Sequence, residues 1–234
     1  MNNANENTER YIKLCMNKIE SNIRWLNASF NELSNWLLTN QNSVTENMLD
    51  YRLPTNIIPY HYDLLVNVQL VNTSGTSFPY EAEVKIELTC INDTTLLIFH
   101  IEKLIIDNST ISLTSSTDSQ FGKLEGFSWY NDFERNFFIA NLSKPFKAQN
   151  NYTLYIKYTG FLADDNVGFY RSSYVDIHGI RKWLMTSKLE PTYARKSWPC
   201  FDEPAIKATY KITAIHQNDY YAMSNMPVDS VEPL

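Results

Sequence analysis

Tyr60-His61-Tyr62-Asp63-Leu64-Leu65-Val66-Asn67-Val68-Gln69-Leu70 is the stretch whose reading decides the fold. Tyr60, Tyr62, Leu64, Val66, Val68 and Leu70 fall on one face of an extended chain. His61, Asp63, Asn67 and Gln69 fall on the other, with Leu65 the lone apolar exception. A period of two is the signature of a strand with one buried and one wet face.

The same period recurs on both sides of the quoted stretch. Residues 82–90 put Ala82, Val84, Ile86, Leu88 and Cys90 inward and Glu83, Lys85, Glu87 and Thr89 outward. Weaker copies cover 96–106, 110–114, 136–140 and 152–158. A clear last one covers 208–216, where Ala208, Tyr210, Ile212 and Ala214 alternate with Thr209, Lys211 and Thr213. Half-buried alternating strands are expected to pair antiparallel. Short strands at regular spacing predict a mainly β domain, an antiparallel sandwich, saddle or open barrel. No long helix and no internal repeat is visible between 51 and 216.

Upstream the period changes. Ile12, Met16, Ile19, Ile23, Leu26, Phe30, Leu33 and Leu37 recur at spacings of four and three, which predicts an amphipathic helix over 10–38. Such a helix either packs on the domain or self-associates as a short coiled coil. Residues 39–50 are polar and aperiodic and read as a linker, placing a domain boundary near residue 50.

The 234 residues carry a net charge of −6 without any block of like charge, which excludes nucleic acid as a partner. Three widely spaced cysteines, Cys15, Cys90 and Cys200, form neither a disulfide framework nor a Cys-type zinc site. No apolar stretch reaches the roughly 18 residues of a membrane helix, and the first residues lack the apolar core of a signal peptide. Six N-x-S/T sequons, at Asn27, Asn72, Asn92, Asn108, Asn141 and Asn151, are candidate glycosylation sites, which matter only on a secretory route.

Residues 160–207 differ in texture. Charges, aromatics, prolines and glycines crowd together and the alternation stops, so the segment reads as a long irregular loop with a job. Arg195 lies close to Glu190, Asp202 and Glu203, and an arginine fork can hold a carboxylate at two points.

Tyr51-Arg52-Leu53-Pro54-Thr55 with Pro59 and Tyr62 is similar to the opening of the N-terminal domain in the aminopeptidase N family of zinc metallo-aminopeptidases. Thr95 to His100 with Leu104 loosely resembles its next signature, and Gly168-Phe169-Tyr170-Arg171-Ser172 its G-F-Y-R-S. Glu190-Pro191-Thr192, Ala194-Arg195, Pro199-Cys200-Phe201-Asp202-Glu203-Pro204 and Lys207-Ala208 follow the family's E-P-T-D-A-R and P-C-F-D-E-P-x-x-K-A. Ser224-Asn225-Met226-Pro227 matches its S-N-M-P. The resemblance implies a β-saddle that packs against a thermolysin-like zinc domain and lends one acidic residue, by position Glu190, to the pocket for the peptide's free α-amine. A salt bridge from Glu190 to Arg195 is the competing reading. Arg195, Asp202, Glu203, Pro204 and Lys207 are then residues that hold the loop together.

The departures matter equally. Hydrolytic zinc needs an H-E-x-x-H helix and a third ligand. His61, His100, His178 and His216 provide no such context, and no G-A-M-E-N segment is present. This chain alone is therefore expected to hold no cofactor and to hydrolyse nothing, with zinc implied only for a longer family member. Lys188 stands where relatives usually carry Gln, a candidate for altered substrate contact, and Tyr193 replaces the usual Asp. Relatives continue with further strands, so the domain is expected to be a fragment, marginal or sticky by itself. The resemblance and the sequons imply the extracellular face of the plasma membrane, and the N-terminus leaves the cytoplasm as the alternative. A β-domain-only paralogue that binds peptides or proteins is the alternative function, and a purely structural domain a third.

Overall fold

A computed structural model describes residues 51–70, 78–115 and 127–233. The helix expected over 10–38, the linker 39–50, Cys15 and the sequons at Asn27 and Asn72 lie outside the described residues.

The described part is mainly β. A mixed five-stranded sheet is built from β1 (Ile57–Val68), β2 (Pro79–Cys90), β4 (Ile105–Ser115), β7 (Asn151–Phe161) and β10 (Thr209–Ile215), in the order β10-β1-β2-β7-β4. A second sheet has the order β3-β6-β5, from β3 (Thr94–His100), β5 (Phe127–Asp132) and β6 (Phe137–Phe146). A hairpin of β8 (Gly168–Val175) and β9 (Arg181–Lys188) forms a third. The only helical element among the described residues is a 3₁₀ turn at Ala194–Lys196.

The alternating stretches supply the core. Tyr62, Leu64, Val66 and Val68 of β1 lie beside Ala82, Val84, Ile86 and Leu88 of β2 and Tyr152, Leu154, Ile156 and Tyr158 of β7, all buried. Removing this apolar surface from water, about 25 cal/mol per Å², is the main drive to fold. The second sheet closes the core through stacked rings. Phe138 lies between Phe99 at 4.8 Å and Trp129 at 5.1 Å.

The structure corrects five sequence-based expectations. Tyr60 points outward, 42% exposed, because a bulge between Pro59 and His61 inserts it as an extra residue and shifts the phase of β1. A proline, lacking an N–H, is at home at such a bulge. Residues 96–106 are not one strand. The chain turns after His100, with Lys103 in the left-handed region at φ 58°, and enters a different sheet as β4. Residues 160–207 are not wholly irregular, since they open with the tail of β7 and the eight-pair hairpin β8–β9. The sheet is mixed rather than antiparallel, because β10 runs parallel to β1, with Tyr62 beside Tyr210 and Leu64 beside Ile212. Parallel neighbours need a crossover, here almost the whole domain. Finally, the predicted inward residues Tyr210 and Ile212 remain 47% and 55% exposed, on an edge strand with no further strand beyond it among the described residues.

Candidate functional site

Beyond β9 the chain makes a compact turn. The Glu190–Pro191 bond is cis, Thr192 sits at φ 66°, and the Tyr193 N–H returns to the Leu189 carbonyl at 3.0 Å. Ser197 and Trp198 then donate to the Ala194 carbonyl at 2.8 and 3.1 Å. Trp198, Cys200 and Phe201 plunge into the core and anchor the loop at its C-terminal end.

Arg195 clasps this loop shut. Its Nε donates to Asp202 Oδ2 at 2.9 Å and a terminal nitrogen donates to the Asp202 carbonyl at 3.2 Å. Both side chains are mostly covered, at 11% and 15% exposure. The Arg195 carbonyl accepts the Glu102 N–H at 2.8 Å, tying the loop to the end of β3. Glu203 closes a second clasp over a sequence separation of 151 residues. It accepts from Arg52 at 2.6 Å and from the Leu53 N–H at 3.1 Å. Pro204 and Lys207 are exposed, and no side-chain bond engages Lys207 among the described residues.

His100 is the hinge pin between loop and sheet. Its backbone bridges to Cys200 in both directions, at 2.7 and 3.1 Å, and its Nδ1 accepts the Asp202 N–H at 3.1 Å. Accepting at Nδ1 requires a neutral ring protonated at Nε2. Burial, reinforced by the Arg195 guanidinium, pushes its pKa from 6.5 down to about 3. The unfolded ring binds a proton near 6.5 while the folded ring refuses it. This contribution is therefore whole above pH 6.5 and drains away as pH falls toward about 3. The His100 Cε1–H resonance of the folded chain is expected to stay fixed between about pH 8 and pH 5, where an ordinary imidazole moves. A normal titration midpoint would contradict the buried neutral ring.

Tyr62 and Tyr80 complete the clasp, and sequence reasoning assigned neither a role here. Tyr62 Oη accepts the Phe201 N–H at 3.1 Å, and Tyr80 Oη donates to the Ser197 carbonyl at 2.9 Å. The alternation marked Tyr62 as core and began two residues after Tyr80, while their hydroxyls, each needing a partner once buried, were the overlooked signal.

Glu190 is exposed and stands outside both clasps. Among the described residues no ion pair or hydrogen bond engages its carboxylate, because Arg195, the partner proposed for it from sequence, is committed to Asp202. Lys188, the last residue of β9, is likewise exposed. The loop thus presents an uncompensated carboxylate on a turn whose flanks are pinned.

Among the described residues no group of three or more His, Cys, Asp or Glu gathers to hold a metal. His61 bonds Thr209 at 2.7 Å, His100 is buried in the clasp, and His216 bonds the Gln217 carbonyl at 2.8 Å. These donors do not fit a zinc centre. Cys90 and Cys200 are buried free thiols. The sequon residues Asn92, Asn108, Asn141 and Asn151 are exposed.

Residues 58–234 match the model of the Peptidase M1 N-terminal domain. The chain is 34% identical over 179 residues to the thyrotropin-releasing hormone-degrading ectoenzyme of Homo sapiens, covering 76% of this chain and 16% of that protein. It is 35% identical over 179 residues to aminopeptidase N of Canis lupus familiaris, covering 75% and 18%. With human aminopeptidase Q the identity is 34% over 182 residues, covering 75% and 18%. The chain therefore spans less than a fifth of the length of these relatives.

Proposed function

The chain belongs to the peptidase M1 N-terminal domain family, and from that premise we propose that it is the non-catalytic β-domain of a zinc metallo-aminopeptidase, with Glu190 receiving the α-ammonium of the substrate peptide. The observation that carries this is the state of Glu190, an exposed carboxylate that no ion pair engages among the described residues, on a turn braced by the Arg195–Asp202 and Arg52–Glu203 pairs. An ammonium withdrawn from water needs a fixed counter-charge. A carboxylate already spent on Arg195 would offer none. The reaction itself, removal of the N-terminal residue, belongs to the zinc domain, and this chain contributes selection for a free amine.

The test is Glu190→Gln in the enzyme form that carries the zinc domain. Losing the charge opposite a buried ammonium is expected to lower kcat/KM about 100-fold, roughly 2.7 kcal/mol, while the denaturation midpoint of the 234-residue chain stays unchanged. Undiminished turnover by the variant would remove Glu190 from the pocket.

Lys188 favours a second reading. Exposed two residues before Glu190, it places a cation beside a site meant for one, which fits a peptide- or protein-binding module better than an amine pocket. Measurable affinity for peptides with a blocked N-terminus, equal to that for free ones, would favour the module. The extracellular face of the plasma membrane is the proposed location, as part of a longer protein. It is supported by the exposed sequons and by a relative that is by name an ectoenzyme. The cytoplasm remains the alternative. Among the described residues no helix is long and apolar enough to cross a membrane.

A further inference from the structure

The hairpin β8–β9, which leads directly into the clasped loop, carries a second surface at its tip. Phe169, Trp183 and Met185 pack against the core. Arg171 bridges the layers, lying over Phe78 at 4.9 Å and Trp183 at 5.1 Å while pairing with Asp164. Past Trp183 the hairpin leaves the core behind. Its tip exposes Tyr174, Val175, Ile177 and Ile180 by 56%, 63%, 96% and 55%. Asp176 locks this turn, its carboxylate accepting the N–H groups of His178 and Ile180, each at 2.9 Å. The one acid of the hairpin is thereby turned onto its own backbone.

Charge sets the hairpin apart from the rest of the chain. Residues 166–189 hold Arg171, Arg181, Lys182 and Lys188 against Asp176, and setting aside Arg171, which pairs with Asp164, leaves a net +2 by subtraction, within a chain of net −6. Arg181 and Lys182 follow directly after the apolar turn. A convex tip of aliphatic side chains, a tyrosine beside it and cations behind it match the layered chemistry of a bilayer surface: acyl boundary, interface, anionic headgroup. A soluble polyanion would engage the cations and leave Ile177 and Ile180 in water.

We propose that the β8–β9 hairpin tip docks on anionic lipid bilayers, seating Val175, Ile177 and Ile180 at the acyl boundary and Arg181 and Lys182 among the headgroups. The proposal is independent of the role given to Glu190. The test is sedimentation of the 234-residue chain with phosphatidylcholine vesicles, with and without phosphatidylserine. The wild-type chain is expected to bind only vesicles containing phosphatidylserine, and to release as salt rises. Arg181→Gln/Lys182→Gln should lower partitioning roughly 25-fold, about fivefold per cation. Ile177→Ser/Ile180→Ser should lower it by at least about tenfold, through lost apolar burial. All four positions border or form an exposed turn, and unchanged circular dichroism would show that the variants fold. Absence of wild-type binding would overturn the proposal and leave the tip as a contact for another protein surface. Binding that survives the isoleucine pair would overturn it as well, because charge without insertion would then explain the attraction.

Discussion

Arg195→Ala is expected to destabilise the chain by about 3–5 kcal/mol, the range for removing one partner of a buried ion pair. Asp202 is 15% exposed, so deleting the guanidinium strands its carboxylate against the aromatic core. The bond to the Asp202 carbonyl is lost as well. A domain of this size has about 5–15 kcal/mol in hand, so urea denaturation should show either a large fall in midpoint or loss of the cooperative transition. Arg195→Lys should recover only part, since an ammonium cannot reproduce two donors in a fixed plane. The decisive measurement is the double variant Arg195→Ala/Asp202→Ala. Removing both charges avoids the stranded carboxylate, so the double variant should be more stable than Arg195→Ala alone. Strict additivity of the two single effects would mean that the pair is not coupled and the loop is held by its buried aromatics.

The clasp also shows how far the sequence could be read. Arg195 and Asp202 lie seven residues apart, and their pairing was one of a few local options. The partner of Glu203 was not legible, because Arg52 stands 151 positions away and nothing local marks the two as neighbours. The same contrast runs through the fold. β1, β2 and β7 were visible because each has one buried face and one wet face, and alternation is the direct imprint of that condition. β8 and β9 were not. Only Phe169, Trp183 and Met185 of the hairpin meet the core, while its tip puts apolar residues into solvent, which erases the period. The direction of β10 was equally hidden. Alternation tells which side chains share a face, and it is silent on whether a neighbour runs with or against the strand. The bulge at Tyr60 is the clearest limit. One inserted residue reverses inward and outward, and only pairing with β2 reveals it.

Gly160→Ala is expected to be as damaging as the loss of Arg195, for a reason that no periodicity signals. Gly160 lies opposite Tyr80 in the β2–β7 register, and the Tyr80 ring covers the place where a side chain at 160 would begin. A Cβ there would overlap the ring carbons and the hydroxyl. Tyr80 cannot swing aside freely. It is 1% exposed, meets Phe169 edge-on at 5.5 Å and Tyr158 at 6.4 Å, and bonds the Ser197 carbonyl at 2.9 Å. Overpacking costs about 1–3 kcal/mol, and parting the buried hydroxyl from its carbonyl adds about 1–3 kcal/mol. The Ser197 carbonyl belongs to the loop that carries Glu190, so the damage should spread from the sheet to the candidate site. Shortening the ring removes the conflict, and Gly160→Ala should therefore cost much less in a Tyr80→Leu background than in the wild-type chain. Equal cost in both backgrounds, read from urea midpoints, would place the strain in the backbone of β7 instead. A large difference would identify the tyrosine over the glycine as the contact that sets the sheet's distance from the site-bearing loop.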